Sequence, residues 1–465
     1  MTAVCIRSVG AYAPAFRIEA EEIAEVWGRF EARNIESKAV PDADEDALTM
    51  AASACRRALE AAEIDGNDVE WLGFATTTPP LAEEELTPRL ASMLGISERA
   101  HLQTFTGSTR AGTRAIHSAP SACTALVVAS DCPRGEPDDA RGHAAGAGAA
   151  AFVLDPNGAG SVVEHSEYAA PYPGTRFRRT GSNHIEGIDV TKYERQAFTE
   201  TLSKAAEAVT ADGVTAAAVQ APDGSRPYRA ASTLGVERTT IHECATVHEL
   251  GDTGAASVPL SLARAIDDGH ETVLAAAFGS GAGADVLRIE VNGAIPCDCS
   301  LTGDRTLTYS ASLRQQGEIT SSGLDTGAAY VSIPSWQRSL PQRHRLVAGR
   351  CPDCGALTFP PEGACSGCQM LVEYDPIELW GPGTIETVTE IEQGGAPPEF
   401  AAQQARSGSF GVAIIRFERA GERVSLPGQL IEAAAVGDRV VPVIRRVYTQ
   451  EGIPRYGTKF IPEIR

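Results

Sequence analysis

The sequence predicts an α/β domain built from a duplicated unit, followed by a short cysteine-rich ribbon and a small all-β barrel. Three observations carry this reading. Strand-like TALVVASD (Thr124 to Asp131) and GAGAAAFVL (Gly146 to Leu154) recur as TVLAAAFG (Thr272 to Gly279) and GAGADVLRI (Gly281 to Ile289). One strand pair is thus written twice, at a period far too long for a solenoid. CPDCGALTFPPEGACSGC holds two Cys-x-x-Cys pairs, a metal-ligand spacing. Beyond Glu378, the runs GTIETVTEI, SFGVAIIRFE and GDRVVPVIRRVY alternate with Gly, Pro and polar residues, as in a small antiparallel barrel.

The elements follow in order. DALTMAASACRRALEAAEI (Asp46 to Ile64) repeats small apolar residues at helical spacing and leads into strand-like WLGFATT. ETLSKAAEAV leads similarly into AAAVQAPD. Each half, residues 1–160 and 161–295, should bury a sheet under helices, within a first domain ending near 325. A linker with a helix is expected over 326–345, the ribbon over 346–376 and the barrel over 377–465.

The chain has 465 residues, 43% of them hydrophobic, with 61 acidic against 40 basic residues and a net charge of −21. Only Lys38, Lys192, Lys204 and Lys459 are lysines. Such a surface repels nucleic acid and suits concentrated salt, where self-repulsion is screened; a halophilic host is the expectation. The charge is uneven, since residues 341–465 carry 13 basic and 15 acidic side chains, leaving −19 on the first 340. No run of about 18 uncharged apolar residues exists to span a bilayer, and the first residues lack a signal-peptide pattern, so a cytoplasmic protein without membrane partners is expected. Eleven cysteines, an odd number, argue against a disulfide framework.

Cys351, Cys354, Cys365 and Cys368 can surround one tetrahedral zinc at about 2.3 Å each, leaving no open coordination position. A structural zinc ribbon follows. His242, Cys244 and His248 in HECATVHELGD match no familiar ligand pair, so no second metal is expected there. Cys297 and Cys299 in PCDCS are too close for an unstrained bridge and are expected in a surface turn.

TFTGSTRAGT, Thr104 to Thr113, gathers Gly, Ser and Thr before a helix start. Ser108 or Thr109 is expected to cap that helix, and its free amides would attract a carbonyl or anion.

Longer strings set these residues in context. KAVPDADEDALTMA, SDCPRGEPDDARGHAAGAGAAAFVL, VQAPDGSRP and GDTGAAS followed by FGSGAGAD occur in an order that resembles the 3-hydroxy-3-methylglutaryl-CoA synthase branch of the thiolase superfamily. PSWQRSL, CPDCG, FPPEGACSGC and ELWGPGTIETVT resemble the zinc-ribbon plus OB-fold family that accompanies archaeal thiolases and HMG-CoA synthases. The resemblance implies a duplicated five-layer αβαβα fold, a homodimer, an appended OB-fold barrel, a coenzyme A thioester as ligand and a thiolase or HMG-CoA synthase as partner.

It also implies four departures. Where the family has its nucleophilic Cys, this chain has Thr109; where it has a His, Gln220; where its general-acid Glu, Thr77; and where the Asn of a GNT motif, Asp252. A threonine hydroxyl is hardly ionised near neutrality and needs an adjacent base, and losing a nucleophile typically costs about a million-fold in turnover. The expectation is an acyl-CoA-binding scaffold, channel or regulator in acyl-CoA, isoprenoid or lipid metabolism. The alternatives are an active acyltransferase, or a Cys-independent retro-aldol lyase using Tyr172, Tyr193 or Tyr228. Ser108, Gly112, Gly279 and Gly281 are expected at the ligand, and Arg176, Arg178, Arg179 and Arg226, with Arg229, at its phosphates, since guanidinium forks suit phosphate oxygens. The barrel's near-zero charge and lack of a basic, aromatic-interleaved stripe exclude nucleic acid.

Overall fold

The computed structural model describes residues 4–320, 331–392, 396–397 and 400–463. Residues 321–325 of the expected first domain and 326–330 of the expected linker lie outside the described residues. The chain divides into two units, one of Met1–Asp42, Asp46–Ala91 and Ile96–Leu313, the other of Ala43–Glu45, Ser92–Gly95 and Arg314–Arg465.

In the first unit a ten-stranded sheet carries the repeat. Cys5–Tyr12, Trp71–Ala75, Ala125–Asp131 and Gly148–Leu154 have counterparts in Gly160–Tyr168, Ala216–Val219, Thr272–Phe278 and Ala284–Val291. In each set the second strand runs parallel to the third, the third antiparallel to the fourth, and the fourth antiparallel to the first. The halves join where Cys5 and Ile6 pair with Ser161 and Gly160. His101–Phe105 extends the first half as an edge strand parallel to Trp71–Ala75, without a counterpart among the described residues of the second half.

Ala125–Asp131 and Gly148–Leu154 are buried at every position, which explains their unbroken Ala, Gly and Val composition: a sheet covered on both faces has no polar side to alternate with. The outer cover of the first half is the helix Ala47–Ala61. Its cap is Asp46, whose carboxylate accepts from the amides of Leu48 and Thr49 while its own amide donates to Thr49 Oγ1, worth about 1 kcal/mol. The helices Ala111–Ser118 and Ser257–Asp267 pack together between the halves, and Thr191–Ala206 covers the second half. The result is helix, sheet, helix pair, sheet, helix. The expected turn at Cys297 and Cys299 is instead a strand, Cys297–Ser300, parallel to Cys5–Tyr12; its pairing comes from a partner nearly 300 residues away, invisible to local turn chemistry.

In the second unit the short helices Ile333–Arg338 and Leu340–Arg345 precede a three-stranded ribbon of Val347–Arg350, Leu357–Thr358 and Asp375–Glu378. Five strands then close a barrel in the order Gly383–Ile391, Phe410–Arg419, Glu422–Leu430, Ile453–Pro462, Arg439–Gln450. Two of them were not legible beforehand because Pro427, Gly428, Pro454 and Gly457 interrupt their alternation. Among the described residues no helix is long and apolar enough to cross a membrane.

Candidate functional site

In α/β sheets ligands gather beyond the carboxyl ends of strands. Ala216–Val219 and Thr272–Phe278 end beside a cleft of about 470 Å³ whose lining includes Thr109, Thr175, Arg176, Gln220, Asp252, Phe278 and Ser280. Three of the four positions that the resemblance singled out therefore meet. Thr77 is not among the lining residues.

Thr109 is 4% exposed and its hydroxyl donates to the Phe278 carbonyl at 2.6 Å. The expectation that Ser108 or Thr109 caps the helix is corrected: Arg110 is the residue preceding Ala111–Ser118, and no side chain caps it. The hydroxyl satisfies a strand-end carbonyl from the other half instead. Gln220 is 3% exposed, its Nε2 donating to the Gly254 carbonyl at 2.9 Å, while Oε1 has no hydrogen-bond partner among the described residues. A carboxamide cannot exchange a proton as an imidazole would. Asp252 accepts from the Gly254 amide at 2.9 Å and pairs with Arg176.

Thr77 belongs to a separate knot. The Asp131 carboxylate accepts from the hydroxyls of Thr76, Thr77 and Thr78 at 2.8, 2.6 and 3.0 Å, and from the amides of Thr77, Thr78 and Ala255. Asp131 is fully buried. Its role was missed because Asp131 and the triplet TTT lie 53 to 55 residues apart, and no local pattern links them. Beneath the helix start, Arg110 pairs with Asp285 at 2.9 Å and Thr113 donates to the same carboxylate at 2.9 Å. Burial pushes the Asp285 carboxyl up to about 6 although Arg110 pulls it down.

The glycines expected at the ligand serve packing. A Cβ at Gly112 would lie 2.5 Å from the Ala255 carbonyl oxygen and 2.6 Å from Pro259 Cγ, and one at Gly279 would meet Ser108 Oγ at 2.6 Å and Arg110 Cδ at 2.9 Å. Gly281 is a turn residue at φ +90°. None of these, nor Ser108, lines the cleft. Among the arginines, Arg176 and Arg226 line it, but Arg226 is paired with Glu194 at 3.2 Å and Asp223 at 3.8 Å, as Arg176 is with Asp252. Arg178 donates to the Thr77 carbonyl at 2.6 Å and Arg179 pairs with Glu186 at 3.0 Å, both outside the lining. Arg33 and Arg229 also line the cleft and form no ion pair among the described residues; Arg33 had no motif to mark it. No cysteine and no tyrosine lines the cleft among the described residues. Tyr172 donates to Glu200, Tyr193 to the Pro173 carbonyl, and the Tyr228 hydroxyl lies 2.6 Å from His248 Nε2 and 3.1 Å from His242 Nδ1.

In the ribbon, the sulfurs of Cys351, Cys354, Cys365 and Cys368 all lie within 4.8 Å of one another, with Cys351 to Cys368 at 3.8 Å and Cys354 to Cys365 at 3.5 Å. Four 2.3 Å bonds in a tetrahedron require edges of about 3.8 Å, so this donor set fits zinc. The Gly367 amide donates to Cys365 Sγ at 3.3 Å, the kind of outer contact that orients a ligand.

Comparison with known proteins agrees with both parts. Residues 338–370 match the family described as ChsH2, rubredoxin-like zinc ribbon domain. The chain is 32% identical over 309 residues to hydroxymethylglutaryl-CoA synthase of Methanocella arvoryzae, spanning 62% of this chain and 88% of that protein. The synthase of Thermococcus gammatolerans is 30% identical over 307 residues, 63% of this chain and 87% of that one. Among solved structures, an HMG-CoA synthase complexed with CoA superposes with a TM-score of 0.61 at 15% identity, covering 71% of this chain and 94% of that one. 3-Oxoacyl-[acyl-carrier-protein] synthase III of Aquifex aeolicus gives 0.54 at 16% identity, covering 62% and 99%.

Proposed function

Because this chain belongs to the hydroxymethylglutaryl-CoA synthase family, we propose that its cleft binds an acyl-CoA thioester and that the protein acts as a scaffold, channel or regulator in acyl-CoA metabolism, without cysteine-based condensation. The carrying observation is the cleft itself. Thr109 stands there with its hydroxyl committed to the Phe278 carbonyl, Gln220 stands where a base is needed, and no described cysteine reaches the lining. Covalent acyl transfer needs an activated nucleophile with a base in hydrogen-bond reach, and neither partner is of that type. Among the described residues no tyrosine lines the cleft, which gives the lyase reading no support.

Cys351, Cys354, Cys365 and Cys368 would hold a zinc that stabilises the ribbon and leaves no open position for substrate. The five-stranded closed barrel supports an OB-fold reading, and the exposed edge strand His101–Phe105 supports a homodimer. A thiolase or HMG-CoA synthase is the partner this reading favours. The test is titration calorimetry with acetyl-CoA and longer acyl-CoAs, paired with intact-mass analysis after incubation. Binding without a covalent adduct is the expected result; an acyl adduct on the chain, or no binding at all, would sink the reading.

A further inference from the structure

A polar seam runs through the first unit where a helix meets a sheet and apolar side chains are the rule. Arg110, Thr113 and His117 are spaced so that they share one face of the helix Ala111–Ser118 and the residue before it. They meet three side chains of two paired strands, His165 and Glu167 of Gly160–Tyr168 and Asp285 of Ala284–Val291. In the register of that pair Glu167 stands opposite Asp285, and His165 lies two residues along on the same face. Like charges placed directly opposite destabilise a sheet. Arg110 answers them in part, at 2.9 Å from Asp285 and 3.9 Å from Glu167. One guanidinium against two carboxylates leaves a negative balance, and burial still pushes the Asp285 carboxyl up to about 6. The imidazoles are uncommitted as well. The His117 and His165 rings stack with centroids 3.4 Å apart, and neither makes a hydrogen bond among the described residues.

We infer that His165, Glu167 and Asp285 form a second metal site, for a divalent transition ion of the zinc type, separate from the thiolate ribbon. Their donor atoms all lie within 4.8 Å of one another. A tetrahedral ion at about 2.0 to 2.1 Å from nitrogen and oxygen sets its ligands about 3.4 Å apart, so the donors close on it by moving little more than an ångström. One imidazole with two carboxylates suits zinc or cobalt, whereas magnesium and calcium prefer oxygen alone. Burial and the neighbouring His117 lower the His165 ring to about 4, so it is neutral at ordinary pH with a lone pair to give. Arg110 and Thr113 hydrogen-bond the two oxygens of Asp285 at 2.9 Å each. Contacts of this kind orient a ligating carboxylate, which keeps lone pairs beyond those two bonds. His117 is a positioning residue, because the lone pairs of near-parallel rings run side by side instead of converging on one ion. Three protein donors leave a fourth position for water.

The test takes the full chain with its ribbon loaded with zinc, dialyses it and titrates it with Co(II). One further ion per chain is expected, giving visible d–d bands without the thiolate charge-transfer band that exchange into the ribbon would add. His165→Ala should weaken binding by at least about tenfold. His117→Phe, which keeps the stack, should leave affinity within about twofold, and His270→Ala, outside the seam, should leave it unchanged. Hydrogen exchange of the wild type with and without the ion needs no variant to fold: added protection is expected in Gly160–Tyr168 and Ala284–Val291. No second ion, protection confined to other segments, or equal affinity in His165→Ala would overturn the proposal. A loss in His117→Phe as large as in His165→Ala would move the ion to the imidazole pair and overturn this donor set.

Discussion

The Thr109 hydroxyl, buried and bonded to the Phe278 carbonyl, reads as a structural latch between halves. Thr109→Val keeps the shape but strands that carbonyl, and an unsatisfied buried acceptor costs about 1 to 3 kcal/mol; urea unfolding should show the loss while acyl-CoA affinity is retained. Thr109→Cys should not restore condensation, because Gln220 supplies no base; detectable HMG-CoA formation by that variant would contradict this account. Lys38 offers a pH test. It is 6% exposed, donates to the Gly142 carbonyl at 2.5 Å, and burial lowers its ammonium from 10.5 to about 8. Between about pH 8 and 10.5 the unfolded lysine still holds its proton while the folded one has released it, so stability rises with pH across that window, by about 3 kcal/mol in all. Lys38→Met should flatten the rise in denaturation experiments at pH 7.5 and 10. At this scale the family resemblance marked Thr109, Gln220, Asp252 and Thr77 for one site, and three of them meet in the cleft. It did not show which arginines were neutralised, because Glu194 and Asp252 reach Arg226 and Arg176 through space.

Elements obey the same division between local and distant causes. The duplicated strand pair was legible because sheets buried on both faces write themselves as long Ala, Gly and Val runs, and the capping box at Asp46 is a local signature. Cys297–Ser300 and the two proline-interrupted barrel strands were not, because their identity comes from partners elsewhere. Gly112 was legible as special, yet for the wrong reason: it seats one helix on another. Gly112→Ala would drive a methyl against the Ala255 carbonyl and the Pro259 ring, an overpacking that costs about 1 to 3 kcal/mol and should appear as a lowered Tm with the cleft still present. The ribbon was fully legible from spacing. Zinc in such sites contributes on the order of 10 kcal/mol, so Cys351→Ser, or a strong chelator, should remove one zinc per chain by metal analysis and unprotect the ribbon amides in hydrogen exchange. The sheet of the first unit should keep its protection.

For the whole molecule, a net charge of −21 with four lysines predicts a salt requirement. Self-repulsion screens out as the Debye length shrinks from about 10 Å at 0.1 M to about 3 Å at 1 M salt, so Tm is expected to climb with NaCl over that range; a flat profile in differential scanning calorimetry would count against a salt-adapted surface. The great sheet is also asymmetric in a way that bears on assembly. Its second half ends in Ala216–Val219, buried at every residue, whereas the first ends in His101–Phe105, which is exposed or half-buried throughout. Among the described residues, lengthening of this sheet by strand addition therefore has a single exposed terminal strand to work from. A second molecule paired there would cover the exposed terminal strand of this sheet, leaving it only buried ends.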